Sequence, residues 1–357
     1  MPVEIIVLPP STPDARPQML LSADGIWRNV TPAAGDPFSA KEFRKKVEQV
    51  LTIAMQQVAL GQQVNAMTHG FSSQFAPLYL ELMPIEVRDA IAVMLAKQEP
   101  SLLKIHLHPS AEWIPWELLH DGEGFLGLRM PMVRLPVMTQ PARIPGPTQR
   151  EVHSVYNLLG NGALDAAIIP DWEKTFATFN NGGGWETRCP NGNGQFATLD
   201  EFNNAAAADI IHVTCHGGLR ENENAPYYWS LDPLAPLYFN YRITAENLTT
   251  LKLQRSLVFG NACSTAAGGN GALHGFGAIF MIKGALNFIG TLAPITQKTS
   301  VDFATAFYGN LLDPAKQLGI GDALLKTKKG FVANVADPSY LFYSLYGPPD
   351  IVYRVVH

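Results

Sequence analysis

The sequence predicts an α/β fold in which a mostly parallel sheet carries helices on both faces. Beyond about residue 148, apolar segments of strand length alternate with segments whose apolar residues recur at helical spacing. One segment, residues 209–215, is apolar almost throughout, as expected for a strand buried between two layers of helices. The first third of the chain also mixes strand and helix signals. Together these patterns predict parallel strands joined by crossover helices.

Individual elements follow from local signals. In the first third, residues 5–8 form a predicted strand, Ser39 with Glu42 marks the start of a helix, and Pro84 opens a second helix. Two further strand regions are predicted there, at 102–107 and within 125–137. In the rest of the chain the predicted strands are 163–169, 185–189, 209–215, 256–260 and 286–292. The predicted helices are 172–179, 199–206, 273–283, 300–312 and 320–329.

Residues 139–147 separate two predicted domains. The segment reads Thr-Gln-Pro-Ala-Arg-Ile-Pro-Gly-Pro, and three prolines with one glycine in nine residues favour an extended connector. We therefore predict an N-terminal accessory α/β domain at 1–140 and a second domain at 148–357.

Composition and charge limit the partners and the cellular compartment that we expect for this protein. The formal net charge of −5 offers no general attraction to nucleic acid, and we expect none as a partner. No apolar run reaches the length of a membrane span, and the N-terminus lacks the pattern of a secretory signal. Three cysteines in 357 residues do not make a disulfide framework and suit a reducing compartment. We therefore expect a cytoplasmic protein without a membrane partner.

Two predicted strand ends carry reactive side chains. One reads Asp-Ile-Ile-His-Val-Thr-Cys-His-Gly-Gly and places His216 before two glycines. The other reads Leu-Val-Phe-Gly-Asn-Ala-Cys-Ser-Thr and ends in Cys263 and two hydroxyl residues. Active sites of parallel sheets lie at the carboxyl ends of strands, so neighbouring strands would bring this imidazole and thiol together. The imidazole could then take the thiol proton, with Cys263 as nucleophile, and the amides of Gly217 and Cys263 could form an oxyanion hole.

Other histidines and cysteines have simpler interpretations. His212 lies on a buried strand and is predicted to be a hydrogen-bonded core residue, while Cys215 is predicted to be a small core residue. His106 and His108 form a His-x-His pair that could bind metal, but no Cys, Asp or Glu nearby completes such a site. We expect neither a metal nor another cofactor.

The paired motifs resemble those of the CHAT family, which are caspase-like peptidases related to separases. The hallmark is one strand that ends in His-x-x-x-His-Gly, here 212–217, and a second that ends in Ala-Cys-x-Ser/Thr, here 262–265. The segment Trp-Ile-Pro-Trp-Glu-Leu-Leu, residues 113–119, resembles the stretch that precedes the peptidase part in this family. The resemblance runs from about residue 110 to 350, and the order with histidine first and 47 residues to the cysteine agrees with caspase spacing.

The resemblance implies a caspase-like peptidase at 148–357 with His216 and Cys263 as its catalytic dyad. It further implies a protein substrate, an activating protein or protease, and an N-terminal part that is a degenerate caspase-like half. Relatives of this type are often bacterial and act in defence or regulated cell death. We expect no cofactor for this chemistry.

The substrate pocket is the part where the sequence departs from the family. Many relatives have Trp-Pro after the closing strand and acidic residues beyond it, whereas this chain has Ala293-Pro294 and then Thr-Gln-Lys. Arginine-specific members of the wider clan carry an acidic residue two positions before the cysteine, where this chain has Asn261. We expect Asn261 and Asp209 to border the pocket.

Two other functions compete with a peptidase. One is a catalytically silent adaptor that uses the same fold to bind a partner, although such a protein needs no matched nucleophile and base. The other is a thiol hydrolase or transferase that acts on small thioesters or amides, which predicts a small pocket. A peptidase instead requires an open groove that accepts an extended strand.

Overall fold

The computed structural model describes residues 2–12, 14–30, 38–59, 69–97, 101–137, 149–159, 199–219, 227–230, 242–244, 248, 251–264, 275–332 and 337–356. The strands of this part are β1 (Val3–Leu8), β2 (Gln18–Ser22), β3 (Arg28–Val30), β4 (Leu103–Leu107), β5 (Met132–Pro136), β6 (Gln149–Val152), β7 (Val155–Leu159), β8 (Ile210–Thr214), β9 (His216–Leu219), β10 (Tyr227–Ser230), β11 (Arg242–Thr244), β12 (Leu257–Asn261), β13 (Asn287–Thr291), β14 (Tyr343–Tyr346) and β15 (Val352–Val355). The α-helices are α1 (Ala40–Ala59), α2 (His69–Leu82), α3 (Ile85–Leu95), α4 (Leu126–Arg129), α5 (Leu199–Asn204), α6 (Phe276–Ile282), α7 (Gln297–Leu311) and α8 (Ile320–Val332).

A ten-stranded sheet in the order β3-β2-β1-β4-β5-β14-β13-β12-β8-β7 forms the centre of the protein. Parallel pairing links β1, β4, β5 and β14 into one group and β13, β12, β8 and β7 into another. β13 and β14 pair antiparallel, so the two groups run in opposite directions. The carboxyl ends of β8 and β12 therefore point to the same side of the sheet, the edge formed by these strand ends.

Aromatic side chains cover both faces of the sheet around β12. Phe259 points to one face, where its ring lies 5.4 Å from Phe307 of α7. On the opposite face Phe288 of β13 stacks with Phe280 of α6 at 5.2 Å. Phe259, Phe280, Phe288 and Phe307 are all fully buried. This continuous core on two faces explains why the central strands are apolar along their whole length.

The mostly parallel sheet and its helices confirm the predicted α/β class. Several boundaries also agree: the Ser39 hydroxyl accepts the Glu42 amide at 3.2 Å at the start of α1, and α3 begins directly after Pro84. The predicted strands at 163–169 and 185–189 and the helix at 172–179 lie outside the described residues. The region 125–137, predicted as strand, begins instead with the short helix α4 before β5. The helix α2, which contains Pro77, was not predicted.

The sheet continues across the predicted domain boundary. β5 from the first part of the chain pairs with β14 from the second, at Arg134 and Tyr346. The division into residues 1–140 and 148–357 stays a prediction, and the two parts share one sheet. None of the helices in the described ranges combines the length and apolar character needed to cross a membrane.

Candidate active site

The two predicted reactive strand ends meet at one edge of the sheet. β8 and β12 are hydrogen-bonded parallel neighbours, and Thr214 lies opposite Asn261 in their register. Each strand is followed, two residues beyond this pair, by a reactive residue: His216 after β8 and Cys263 after β12. The condition on which the dyad depended, that these strands are neighbours, is thus met.

Gly217 touches the backbone of Cys263. A Cβ atom built at Gly217 would lie 1.9 Å from the carbonyl oxygen of Cys263 and 2.9 Å from its nitrogen. No side chain fits in that space, so the position requires glycine because two backbones approach closely. The contact brings the chain that follows His216 directly onto the chain that carries the thiol.

The Cys263 thiol is partly buried and interacts with the backbone. Its Sγ donates to the carbonyl oxygen of Ile295 at 3.9 Å. Burial raises the pKa of the Cys263 thiol, while the backbone groups of Ile295, Gly217 and Cys263 itself act in the opposite direction. The His216 imidazole is exposed. In the described part of the structure, the thiol therefore bonds to Ile295 and not to His216.

The backbone around Cys263 is held by several neighbours. The Thr291 hydroxyl, at the end of β13, donates to the Ala262 carbonyl at 2.6 Å. Ser264, directly after Cys263, has a φ of 58°, a left-handed conformation that is uncommon outside glycine. Such strain is found at functional sites, where the surrounding structure must hold it. Ile295 and Thr291 were not singled out from the sequence, although both follow from the position of β13 beside β12.

Asn261, expected to border the substrate pocket, has a buried side chain with partners inside the protein. It is 2% exposed, its amide nitrogen donates to the Ser300 carbonyl at 3.1 Å, and its amide oxygen accepts from the Tyr343 hydroxyl at 2.7 Å. Both ends of the amide are therefore used in holding β12 against α7 and β14. These bonds position the strand that leads to Cys263.

Asp209 lies at the opposite edge of the sheet from Cys263, because it precedes β8 while His216 follows it. Its carboxylate accepts the amides of His153 at 2.9 Å and Ser154 at 3.2 Å and pairs with Arg150 at 2.6 Å. The structure therefore does not bring Asp209 together with the dyad. The residue joins the start of β8 to the segment between β6 and β7.

His212 and Cys215 are core residues, as predicted. His212 is fully buried, and its two ring nitrogens hydrogen-bond the hydroxyls of Tyr308 and Thr214, each at 2.9 Å. Its ring stacks on Phe259 at 5.0 Å. Burial lowers the pKa of His212 from 6.5 to about 3. Cys215 is buried as well, and burial raises the pKa of its thiol, with a smaller contribution from the Cys263 charge.

Because His212 is buried in its neutral form, we expect the free energy of unfolding to fall at acid pH. Burial holds its folded-state pKa at about 3 against an ordinary 6.5, so below pH 6.5 the unfolded chain binds a proton that the folded chain does not. The stability present above pH 6.5 is therefore lost as the pH falls toward 3, by about 1.4 kcal/mol per pH unit. Urea unfolding of wild type and His212→Gln across this range should show the extra slope in wild type alone. Parallel profiles would contradict the assignment.

His106 and His108 have protein partners of their own. His106 Nε2 lies 3.2 Å from a carboxylate oxygen of Glu4, and His108 Nδ1 lies 2.9 Å from the Ser110 hydroxyl. In the described ranges no group of three or more His, Cys, Asp or Glu side chains is arranged to hold a metal ion. Thr265, the last residue of the cysteine motif, lies outside the described residues.

Comparisons with known proteins agree with this architecture. Among solved structures, the Arg-specific cysteine proteinase gingipain R (RgpB) matches with a TM-score of 0.52 and 9% identity over 87% of this chain and 76% of that one. A complex of the pro- and mature domains of Porphyromonas gingivalis RgpB gives 0.51 and 10% identity, over 86% and 77% of the two chains. The separase–securin complex of Saccharomyces cerevisiae gives 0.49 and 13% identity over 88% of this chain, which spans 23% of that chain. The two gingipain matches, at 9% and 10% identity, show a likeness of fold alone.

The family comparison covers most of the sequence. No curated protein sequence matches the chain. The family profile described as the CHAT domain matches residues 76–340, which include both strand ends. The likeness to gingipain R, at 9% identity, concerns the fold alone. The chain belongs to the CHAT domain family.

Proposed function

We propose that this protein is a cysteine endopeptidase that cleaves a peptide bond in a protein substrate, with Cys263 as nucleophile and His216 as general base and acid. The observation that carries the proposal is the parallel pairing of β8 with β12, which brings both residues to one edge. The packing of Gly217 on the Cys263 backbone adds a direct contact between the two strand ends. Neither feature is needed by a protein that only presents a binding surface.

The resting thiol is neutral, because burial raises the pKa of Cys263. Attack on a substrate carbonyl therefore requires the thiol to leave the Ile295 carbonyl and pass its proton to the His216 imidazole. Catalytic hydrogen bonds are often loose before substrate binds and tighten in the complex. The S–C bond forms as the carbonyl π bond opens; the C–N bond then breaks as His216 protonates the leaving amine. Water, deprotonated by His216, releases the acyl group and restores the thiol.

The backbone amides beside the sulfur support an oxyanion hole. The Gly217 backbone packs directly against the backbone of Cys263, and the Cys263 amide belongs to the nucleophile itself, so both amides are available close to the attacked carbon. The carbonyl oxygen of a substrate attacked by Sγ would reach the same donors. We propose this role for both amides.

Regulation forms a second part of the proposal and rests on the family resemblance. We propose that the peptidase is cytoplasmic, is activated by a partner protein or by proteolytic processing, and acts in bacterial defence or regulated cell death. The solved complex of the RgpB pro- and mature domains is an example of a protein segment bound to a similar fold. The N-terminal strands β1 to β5 would support the site through the shared sheet.

Covalent labelling tests the dyad. A peptidyl acyloxymethyl ketone should label wild type at Cys263, alone or after addition of candidate partners, and mass spectrometry identifies the site. Cys263→Ala should lose both the label and substrate cleavage, and His216→Ala should lose most of both. Cys215→Ala is the matched control, because this neighbouring thiol is buried, and it should keep the label. Equal cleavage by wild type and Cys263→Ala would remove the dyad from the mechanism.

The same assay separates the competing functions. A silent adaptor would bind partners and show no label at Cys263 under any condition. A thiol hydrolase of small molecules would release small thioesters or amides at Cys263 and leave peptides intact. Cleavage within a protein substrate that depends on both residues is the result expected here.

A further inference from the structure

The strand that begins at His216 belongs to a small sheet of its own. Among the described residues, β9 pairs antiparallel with β10, which in turn pairs with β11. In this register Ser230 lies opposite His216, and Trp229 lies opposite Gly217. Both residues that the proposed mechanism takes from β9 are therefore held by the last two residues of β10.

Trp229 is buried between this small sheet and the main one. Its side chain is fully buried, and its ring stacks on Phe276 of α6 at 4.8 Å and 17° and on Phe280 at 5.4 Å. A third ring, that of Phe202, lies 6.2 Å away. Rings at these separations bury a large apolar area and fix the orientation of the indole.

The indole also fills a notch on the strand that leads to Cys263. A Cβ atom built at Gly260 of β12 would lie 2.8 Å from Cζ2 of Trp229 and 3.2 Å from the Phe288 ring. A glycine in a central strand often marks such a close approach. Gly260 precedes Cys263 by three residues. The side chain of Trp229 therefore contacts β12, which leads to Cys263, while the backbone of Trp229 pairs with β9, which begins at His216.

The indole nitrogen is the polar part of the buried Trp229 side chain. The Nε1–H of Trp229 is buried and has no hydrogen-bond acceptor among the described residues. Burying such a group without a partner is unfavourable, and a phenylalanine would avoid the cost. The longer reach of the indole, from β10 to Gly260, is the property that a phenyl ring lacks.

We infer that Trp229 is a positioning residue of the active site, which sets the distance between the His216–Gly217 segment and Cys263 by seating its indole on Gly260. The inference rests on the proposed function for its catalytic consequence. The geometric part stands by itself, since Gly217 contacts the Cys263 backbone only while β9 keeps its pairing with β10.

Substitutions at Gly260 and Trp229, alone and combined, test the contact between these two residues. Gly260→Ala places a methyl group against Cζ2 and should displace β9, lowering the rate of Cys263 labelling by the peptidyl ketone at least tenfold. Trp229→Phe should lower it by a smaller factor. In the double variant the phenyl ring leaves room for the methyl group, so its rate should exceed that of Gly260→Ala, a non-additivity expected only for residues in contact. Phe75→Leu, a core aromatic substitution in α2, controls for lost stability and should leave the rate unchanged.

A second readout does not depend on peptidase activity. The pH dependence of iodoacetamide alkylation at Cys263 reports the thiol pKa, which should rise in Gly260→Ala as the Gly217 amide moves away from the sulfur. If wild type is not labelled by the peptidyl ketone but the alkylation profile still shifts in Gly260→Ala, the proposed function fails and the positioning role stands. If Gly260→Ala does not fold, wild type and Trp229→Phe are compared in the same two assays. An unchanged alkylation profile and labelling rate in the folded variants would overturn the inference.

Discussion

Substitution of Gly217 by alanine is expected to lower substrate cleavage by about 10²-fold while the protein stays folded. The added Cβ would lie 1.9 Å from the Cys263 carbonyl oxygen, and its three nearest neighbours are all backbone atoms of Cys263, so none of them can rotate away. β9 or the Cys263 turn must therefore shift, and a displacement of about 1 Å at reacting groups costs about 10²-fold in rate. Single-turnover cleavage or Cys263 labelling, measured on wild type and Gly217→Ala, provides the comparison.

A glycine without such a contact supplies the control. A Cβ at Gly330 of α8 would meet nothing within 4 Å, so Gly330→Ala should leave the rate unchanged. It should also increase stability, by up to about 1 kcal/mol, because alanine favours the helix. Wild-type rates in Gly217→Ala would show that the contact between the two strand ends has no role in catalysis.

A buried ion pair joins Glu117, in the segment that resembles the CHAT family, to Arg134. Arg134 on β5 is fully buried, and Glu117 is 3% exposed. Arg134 Nε donates to a Glu117 carboxylate oxygen at 2.9 Å, and its other nitrogens donate to the carbonyls of Glu112 and Ile114. Burial raises the pKa of Glu117, but the charge and hydrogen bonds of Arg134, with the charge of Lys328, outweigh it and hold that pKa below its ordinary value.

Glu117→Ala should destabilise the protein by about 3–5 kcal/mol, because it leaves a buried guanidinium without its counter-charge. Thermal or urea unfolding measures the loss. The combined variant Glu117→Leu with Arg134→Met should be more stable than Glu117→Ala, since it removes both charges and keeps apolar volume. A loss below about 1 kcal/mol in Glu117→Ala would mean that Arg134 finds another partner or water.

The same segment connects the first part of the chain to the region after the cysteine. The buried carboxylate of Glu112 accepts the Gly275 amide at 2.8 Å, directly before α6. Phe276 of that helix stacks on Trp229, which holds the strand of His216. A motif from the first third of the sequence thus anchors the helix on which the active-site hairpin packs.

Local patterns were sufficient for the reactive strand ends. The almost continuous apolar run before Cys215 predicted a buried strand, which made His212 within it a core residue. His216 stood apart because it lies at the end of that run, directly before two glycines. The Ser39 and Pro84 signals located two helix starts because capping depends on a few adjacent residues. In these cases the local structure depends on residues that are adjacent in the sequence.

Asn261 and Asp209 show what adjacent residues do not reveal. Both are polar and lie close to a reactive residue in sequence, yet Asn261 bonds to Ser300 and Tyr343, and Asp209 bonds at the far edge of the sheet. The partners of Asn261 are 39 and 82 residues away in sequence, and Arg150, the charged partner of Asp209, is 59 residues away. No periodicity in the sequence encodes such a partner.

Residue types and strand patterns were therefore enough to identify the α/β class, the candidate nucleophile and base, and the core histidine, since each depends on short-range spacing. The strand order, the sheet shared by the two halves and the seat of Trp229 on Gly260 emerged only from the folded chain. The physical reason is that side-chain packing and strand pairing join residues far apart in sequence. An apolar strand could pair with many other apolar strands, and only the packing of the complete core determines which strand becomes its neighbour.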